Sequence, residues 1–207
     1  MSADFSTEKT FTYLKGYAMG AGMQETVSAL SYARQKHNGQ MRKSGEPYIS
    51  HPLIMASHAV SLGITDDATV AAILLHDVAE DCGVEIDTLP FSDDVRTIVS
   101  LLTFKHQDEN DKETEKAVYY DEISTDVRAS ICKLIDRCHN VSSMAGTFTE
   151  QKLLSYIDET TRYVLPMLRK TKDMHPEYGD ILFVLKYHIH SVIDSIKATM
   201  EPYVKSS

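Results

Sequence analysis

The chain has 207 residues, 43% hydrophobic and 25% charged, the make-up of an ordinary globular protein with room for one sizeable core. A formal net charge of −9 leaves no excess of lysine and arginine for a nucleic-acid backbone or an anionic membrane, though not for a small phosphorylated ligand held by a local basic patch and a metal. Cys82, Cys132 and Cys138 form no CxxC and no apolar run reaches about 18 residues, so a disulfide framework, a zinc knuckle, a secretory leader and a membrane span are all unexpected, and a cytoplasmic setting is expected.

Residues 1–22 are weakly patterned. Phe5, Phe11, Tyr13, Leu14 and Tyr17 suit a short helix docked on the core, and Gly16, Gly20 and Gly22 loosen the chain, so the segment reads as an N-terminal arm. Gln24 to His37 is an amphipathic helix, with Val27, Leu30 and Ala33 or Arg34 at three- and four-residue spacing and Asn38-Gly39 as its stop. The stretch that follows is basic: Arg34, Lys36, Arg42 and Lys43 precede the first acid, Glu46. On charge alone it serves equally as a solvated loop or as a grip for phosphate and base. Ser44-Gly45-Glu46-Pro47 is turn chemistry, and Ser50-His51-Pro52 begins a helix to about Leu62, which places His51 at a helix start. His58, about two turns on, reads as a satisfied or exposed histidine.

Asp66-Asp67 cap the next helix, which is apolar from Ala68 to Leu75 and stops near Cys82-Gly83. At its end stands His76-Asp77-Val78-Ala79-Glu80-Asp81. On one continuous helix its four ionisable residues share a face. Ile73, Leu74, Leu75 and Val78 require burial rather than a solvated polar face, and buried charges need compensation, most simply a divalent cation. Ile86, Leu89 and Phe91 anchor a short connection, and Ser92 caps a helix to about Thr103. Phe104 to Lys116 is polar and is expected to be a mobile loop, followed by a short helix around Tyr119 and Ile123. Thr125 or Asp126 caps a long helix to about Gly146. Within it Asp136 wants a partner, which is a metal or a salt bridge to Arg137 or Lys133. Thr149 caps a helix to about Lys172 that Pro166 should kink, and a last helix runs from about Tyr178 to Tyr203, with no chemistry assigned to His188 or His190. No strand-like alternation of useful length occurs, so the class is all-α and single-domain.

His51, His76-Asp77 and Asp136 together form a mixed nitrogen and oxygen set suited to Mn, Fe, Mg or Zn. The pattern resembles the H…HD…D signature of the HD phosphohydrolases. More closely, Gly39 to Pro52 (GQMRKSGEPYISHP), His76 to Asp81 and Asp136-Arg137-Cys138-His139-Asn140 resemble the hydrolase domain of the RelA/SpoT alarmone enzymes over roughly residues 24–146. The resemblance implies an HD-domain helical bundle over 23–203 with an arm at 1–22. It implies one divalent ion, typically Mn²⁺, and metal-dependent hydrolysis of (p)ppGpp to GDP or GTP and pyrophosphate. Carried over, His51, His76, Asp77 and Asp136 are metal ligands, Glu80 and Asp81 the catalytic acidic pair, and Arg42, Lys43, Tyr48 and Asn140 substrate-binding residues. Cys138 stands where the family often has an aliphatic residue, and 104–116 is least like the family.

The length leaves no room for the further domains of the long enzymes, so a stand-alone small alarmone hydrolase is expected. Its partner is a small phosphorylated nucleotide, and its oligomeric state has no signal in the sequence. Two other readings keep the same pocket: an HD phosphohydrolase for ppApp or the 2′-phosphate of NADPH, and a non-catalytic nucleotide sensor.

Overall fold

The computed structural model describes residues 6–104, 111–144 and 146–204. Among them every regular element is helical, apart from one isolated antiparallel bridge between Met41 and Pro47. The centre is α4 (Asp67–Leu75), buried from Thr69 to Leu75, as befits a helix that is apolar nearly all round. Against it pack α2 (Gln24–Lys36), burying Ala29, Leu30 and Ala33, and α3 (Ser50–Ser61), burying Leu53, Met55 and Ala56. The alanines on α2, α3 and α4 let the helix axes approach closely. α6 (Asp93–Leu102) adds Val95, Ile98 and Val99. α8 (Val127–Met144) packs on α3, α4, α6 and the C-terminal α11 (Gly179–Val204), so its middle lies beside the start of α3 and the end of α4.

The caps of α2 and α4 come from adjacent residues. Asp66 caps α4, accepting from the Thr69 N–H at 2.9 Å. Asp67, expected to share that role, caps α2 instead: its carboxylate accepts from the N–H groups of Glu25 (3.0 Å) and Thr26 (2.8 Å) and from the Thr26 hydroxyl (2.7 Å).

Four expectations change. The described part of the arm is not loosened by its glycines. α1 (Thr7–Ala21) is one helix that buries Leu14 and Ala18, four residues apart, and only Gly22, at φ 74°, ends it. Phe5 lies outside the described residues. Second, the helix expected to run unbroken through His76-Asp81 ends at Leu75, and α5 (Val78–Cys82) starts after a turn at His76-Asp77. Third, the polar loop stops early, because α7 (Lys112–Ile123) takes in Glu113 and Glu115, whose charges suit a helix N-terminus; residues 105–110 lie outside the described residues. Fourth, the irregularity expected at Pro166 is a π-helical segment, Thr160–Val164, between α9 (Glu150–Glu159) and α10 (Leu165–Met174).

Arg137 ties this second half to α8. Its guanidinium donates to Glu159 (2.7 Å), the Tyr120 hydroxyl (2.8 Å) and Thr160 Oγ1 (3.2 Å), and it lies 4.1 Å from the centroid of the Tyr156 ring.

Candidate metal-dependent active site

Three separate segments converge at one end of the bundle. The first turn of α3 supplies His51, the turn between α4 and α5 supplies His76 and Asp77, and the middle of α8 supplies Asp136 and Asn140. The ligand atoms of His51, His76 and Asp77 all lie within 4.8 Å of one another. Asp136 joins them through Oδ1, 3.3 Å from His51 Nε2. The break at His76 has a local cause. His76 Nδ1 donates to the Ile73 carbonyl at 2.8 Å, so a side chain turns back to satisfy a carbonyl of the last helical turn.

That bond also fixes the ring's chemistry. With its proton on Nδ1, the neutral His76 ring holds a bare lone pair at Nε2, 2.9 Å from Asp77 Oδ2. Nε2 is buried and finds no hydrogen-bond partner among the described residues. A lone pair facing a carboxylate oxygen is repulsive unless a proton or a metal ion lies between, and two imidazoles with two carboxylates are a fitting donor set for a divalent metal. The same field acts on the ring's own proton affinity. Burial works to lower it, but the carboxylates of Asp77 and Asp136 outweigh burial and raise the His76 pKa to about 9. His51, also buried, is lowered, its desolvation exceeding the pull of Asp136. Asp77 is held low despite its burial, first by His76.

Asp136 meets its two sequence alternatives differently. Lys133 Nζ sits 3.3 Å from Asp136 Oδ2, whereas Arg137 is committed to Glu159. The buried Lys133 stays charged: burial opposes it, and Tyr119 and Asp136 outweigh that cost. Asp136 is held far below the usual carboxylate range, Lys133 overcoming its desolvation. The salt bridge and the histidine cluster therefore use opposite oxygens of one carboxylate.

The other predicted residues line a cleft of about 470 Å³ over this cluster. The Tyr48 hydroxyl donates to Asp77 Oδ2 at 2.5 Å, and its ring stacks on His37 with centroids 4.7 Å apart. Asn140 Nδ2 donates to Asp136 Oδ1 at 2.6 Å. Arg42 reaches Asn140 Oδ1 (3.5 Å), Ser143 Oγ (3.4 Å) and His139 Nδ1 (3.4 Å). Glu80 Oε1 accepts from the Phe104 N–H at 2.6 Å, and partial desolvation in the cleft wall raises its pKa against that bond. Asp81 lies exposed at the rim.

Of the basic stretch, only Arg42 and Lys43 face the cleft. Arg34 pairs with Glu8 at 2.5 Å and lies 4.8 Å from the Phe11 ring centroid, docking α1, and Lys36 lies over the Tyr32 ring. A residue not singled out in the sequence takes their place. Lys152 of α9 lies 4.3 Å from the Phe148 ring centroid, with Lys43 5.8 Å from the same ring. Lys43 beside it lowers the Lys152 pKa, the mark of two cations set close together. His139 is the other omission: it stood inside the noted Asp136–Asn140 stretch, three residues from Asp136. His58 faces His188, with ring centroids 5.7 Å apart, and His188 Nε2 bonds Ser142 Oγ at 2.9 Å, outside the cleft lining. The three cysteines are free thiols.

Comparison with known proteins gives a consistent picture. The family model described as "HD domain" matches residues 29–164. The chain is 36% identical over 167 residues to a protein of Brucella ovis named GTP pyrophosphokinase rsh, covering 75% of this chain and 22% of that one. It is 32% identical over 153 residues to the guanosine-3′,5′-bis(diphosphate) 3′-pyrophosphohydrolase of Aquifex aeolicus, covering 71% and 21%. The chain thus spans about a fifth of the length of these curated relatives. Among solved structures, one described as a metazoan ortholog of SpoT that hydrolyzes ppGpp matches with a TM-score of 0.64 at 22% identity, over 83% of this chain and 94% of that one. At that identity it shows the fold.

Proposed function

The chain belongs to the HD-domain family, with homology to the RelA/SpoT enzymes, and from that premise we propose that it hydrolyses (p)ppGpp to GDP or GTP and pyrophosphate, using Mn²⁺ held by His51, His76, Asp77 and Asp136. The observation that carries the reading is the convergence of His51 Nε2 and His76 Nε2 on the carboxylates of Asp77 and Asp136, under a cleft edged by Arg42, Lys43 and Lys152. A polyanionic nucleotide needs both: a cation at the reacting phosphoryl group and fixed positive charge along the rest. The name of the relative from Aquifex aeolicus, a guanosine-3′,5′-bis(diphosphate) 3′-pyrophosphohydrolase, supports (p)ppGpp as the substrate.

In the reaction, a water oxygen bonds to the phosphorus next to the ribose 3′-oxygen. The bond from that phosphorus to the 3′-oxygen breaks, its electron pair stays on the ribose oxygen, and that oxygen takes up a proton as pyrophosphate departs. His51, His76, Asp77 and Asp136 would hold a divalent ion there, which would supply Lewis acidity to the reaction. Glu80, with its pKa raised by the cleft, is the residue suited to accept the water's proton, and Asp81 flanks it. Tyr48 and Asn140 hold Asp77 and Asp136 in place. Arg42, Lys43 and Lys152 bind the phosphates and the base side.

The test is pyrophosphate release from ppGpp by the purified chain with Mn²⁺, with and without EDTA, and with ppApp and NADPH alongside. EDTA-sensitive release with GDP as co-product is expected. Turnover of ppApp or NADPH alone would reassign the substrate. Tight ppGpp binding without turnover would make the chain a sensor.

A further inference from the structure

We propose that His139 is a positioning residue for the metal centre: its Nδ1 holds His51 in the tautomer whose Nε2 lone pair faces Asp136 and Asp77. The inference rests on the metal reading above and assigns a residue that reading does not use.

The proton positions follow from the donors. The Arg42 guanidinium has only N–H groups to offer, and its Nη1 lies 3.4 Å from His139 Nδ1, so that nitrogen accepts. The two Nδ1 atoms of His139 and His51 lie 2.8 Å apart, a distance that needs one proton between them. Since His139 accepts, the proton belongs to His51 Nδ1. His51 Nε2 is then bare, 3.3 Å from Asp136 Oδ1 and 3.7 Å from Asp77 Oδ2. The two cluster imidazoles are thus treated alike. His76 gives its Nδ1 proton to the Ile73 carbonyl and His51 gives its own to His139, each leaving Nε2 for a cation.

Placement on α8 makes this an economical arrangement. His139 follows Asp136 by three residues, so one helical turn carries both a carboxylate of the cluster and the acceptor that sets the imidazole opposite. Without the acceptor, the buried His51 ring is free to place its proton on Nε2, against Asp136, in the position a metal ion would take.

The variants separate this role from simple packing. The Asn amide oxygen falls near the Nδ1 position of histidine, whereas the Gln oxygen falls near Nε2. His139→Asn therefore keeps the acceptor, and His139→Gln and His139→Leu lose it. Mn²⁺ affinity is measured calorimetrically on the full chain without nucleotide, with circular dichroism as a check on folding. The expected result is about ten- to hundredfold weaker binding for Gln and Leu, with Asn within about threefold of wild type. Wild-type affinity in His139→Gln, or a loss in His139→Asn equal to that in His139→Gln, would overturn the role of His139 and leave the metal reading standing. No Mn²⁺ binding by the wild type would overturn both.

Discussion

The Tyr48 hydroxyl donates to Asp77 Oδ2 at 2.5 Å, the same oxygen that lies 2.9 Å from His76 Nε2. Tyr48 thus restrains a carboxylate of the cluster, while its ring, stacked on His37, forms cleft wall. Hydrogen bonds to charged groups contribute about 1.5–3 kcal/mol. Tyr48→Phe should keep the fold and weaken Mn²⁺ binding by about tenfold or more. Unchanged affinity, read by calorimetry, would mean that Asp77 is held without it.

Glu80→Gln should leave Mn²⁺ affinity intact and lower kcat on ppGpp by about a hundredfold, the scale for a lost acid-base group. Near-normal turnover would remove Glu80 from the proton transfer.

Arg42→Ala and Lys152→Ala should each raise KM for ppGpp more than they lower kcat, because their contacts are made to the bound nucleotide before reaction. Lys152 lies on an exposed rim, so its effect should shrink as salt is added. A KM for Lys152→Ala equal to wild type at low salt would place the phosphates elsewhere.

Glu159 ties Arg137 and Lys116 to the second half of the fold. Burial raises its pKa, but Arg137 and then Lys116 overcome this and hold it at about 2, against an ordinary value of 4.5. A depressed folded-state pKa means stability that is present above the unfolded value and lost as pH falls through the window from 4.5 to about 2. Glu159→Gln should therefore destabilise the chain at pH 7 by about 1–3 kcal/mol and by much less below the window. Equal destabilisation at both ends, in urea unfolding, would show packing rather than charge at work.

Much of the fold was legible because it rests on periodicity and caps. Ser92 and Thr149 accept from the N–H three residues on, as their positions predicted, and the apolar runs became α4, α6 and α8. The residues proposed for the metal, His51, His76, Asp77 and Asp136, come together at one end of the bundle, and it was the family resemblance, more than any spacing, that joined segments so far apart. What escaped depended on direction or distance. Arg34 sits on a helix face that turns toward α1, so its charge never reaches the cleft. The turn at His76-Asp77 comes from a ring folding back on a carbonyl, which no propensity records. Lys152 enters from a helix more than 100 residues beyond Lys43, and only the shared Phe148 ring reveals the pair.

Asp67 has a consequence at the opposite end of the molecule. It pins the start of α2 from the start of α4, so the two helices leave a common origin. Past the far end of α4, α5 returns to the end of α2, where Cys82 Sγ approaches the Lys36 carbonyl (3.5 Å) and Gln40 Nε2 the Asp81 carbonyl (3.1 Å). The basic edge of the cleft and its acidic floor are therefore gauged from one datum. One residue inserted in either helix would advance its end by about 1.5 Å and swing it by about 100°, moving Arg42 and Asp77 relative to one another without touching either. Helix length is in this sense a dimension of the site, set some 20 Å from it.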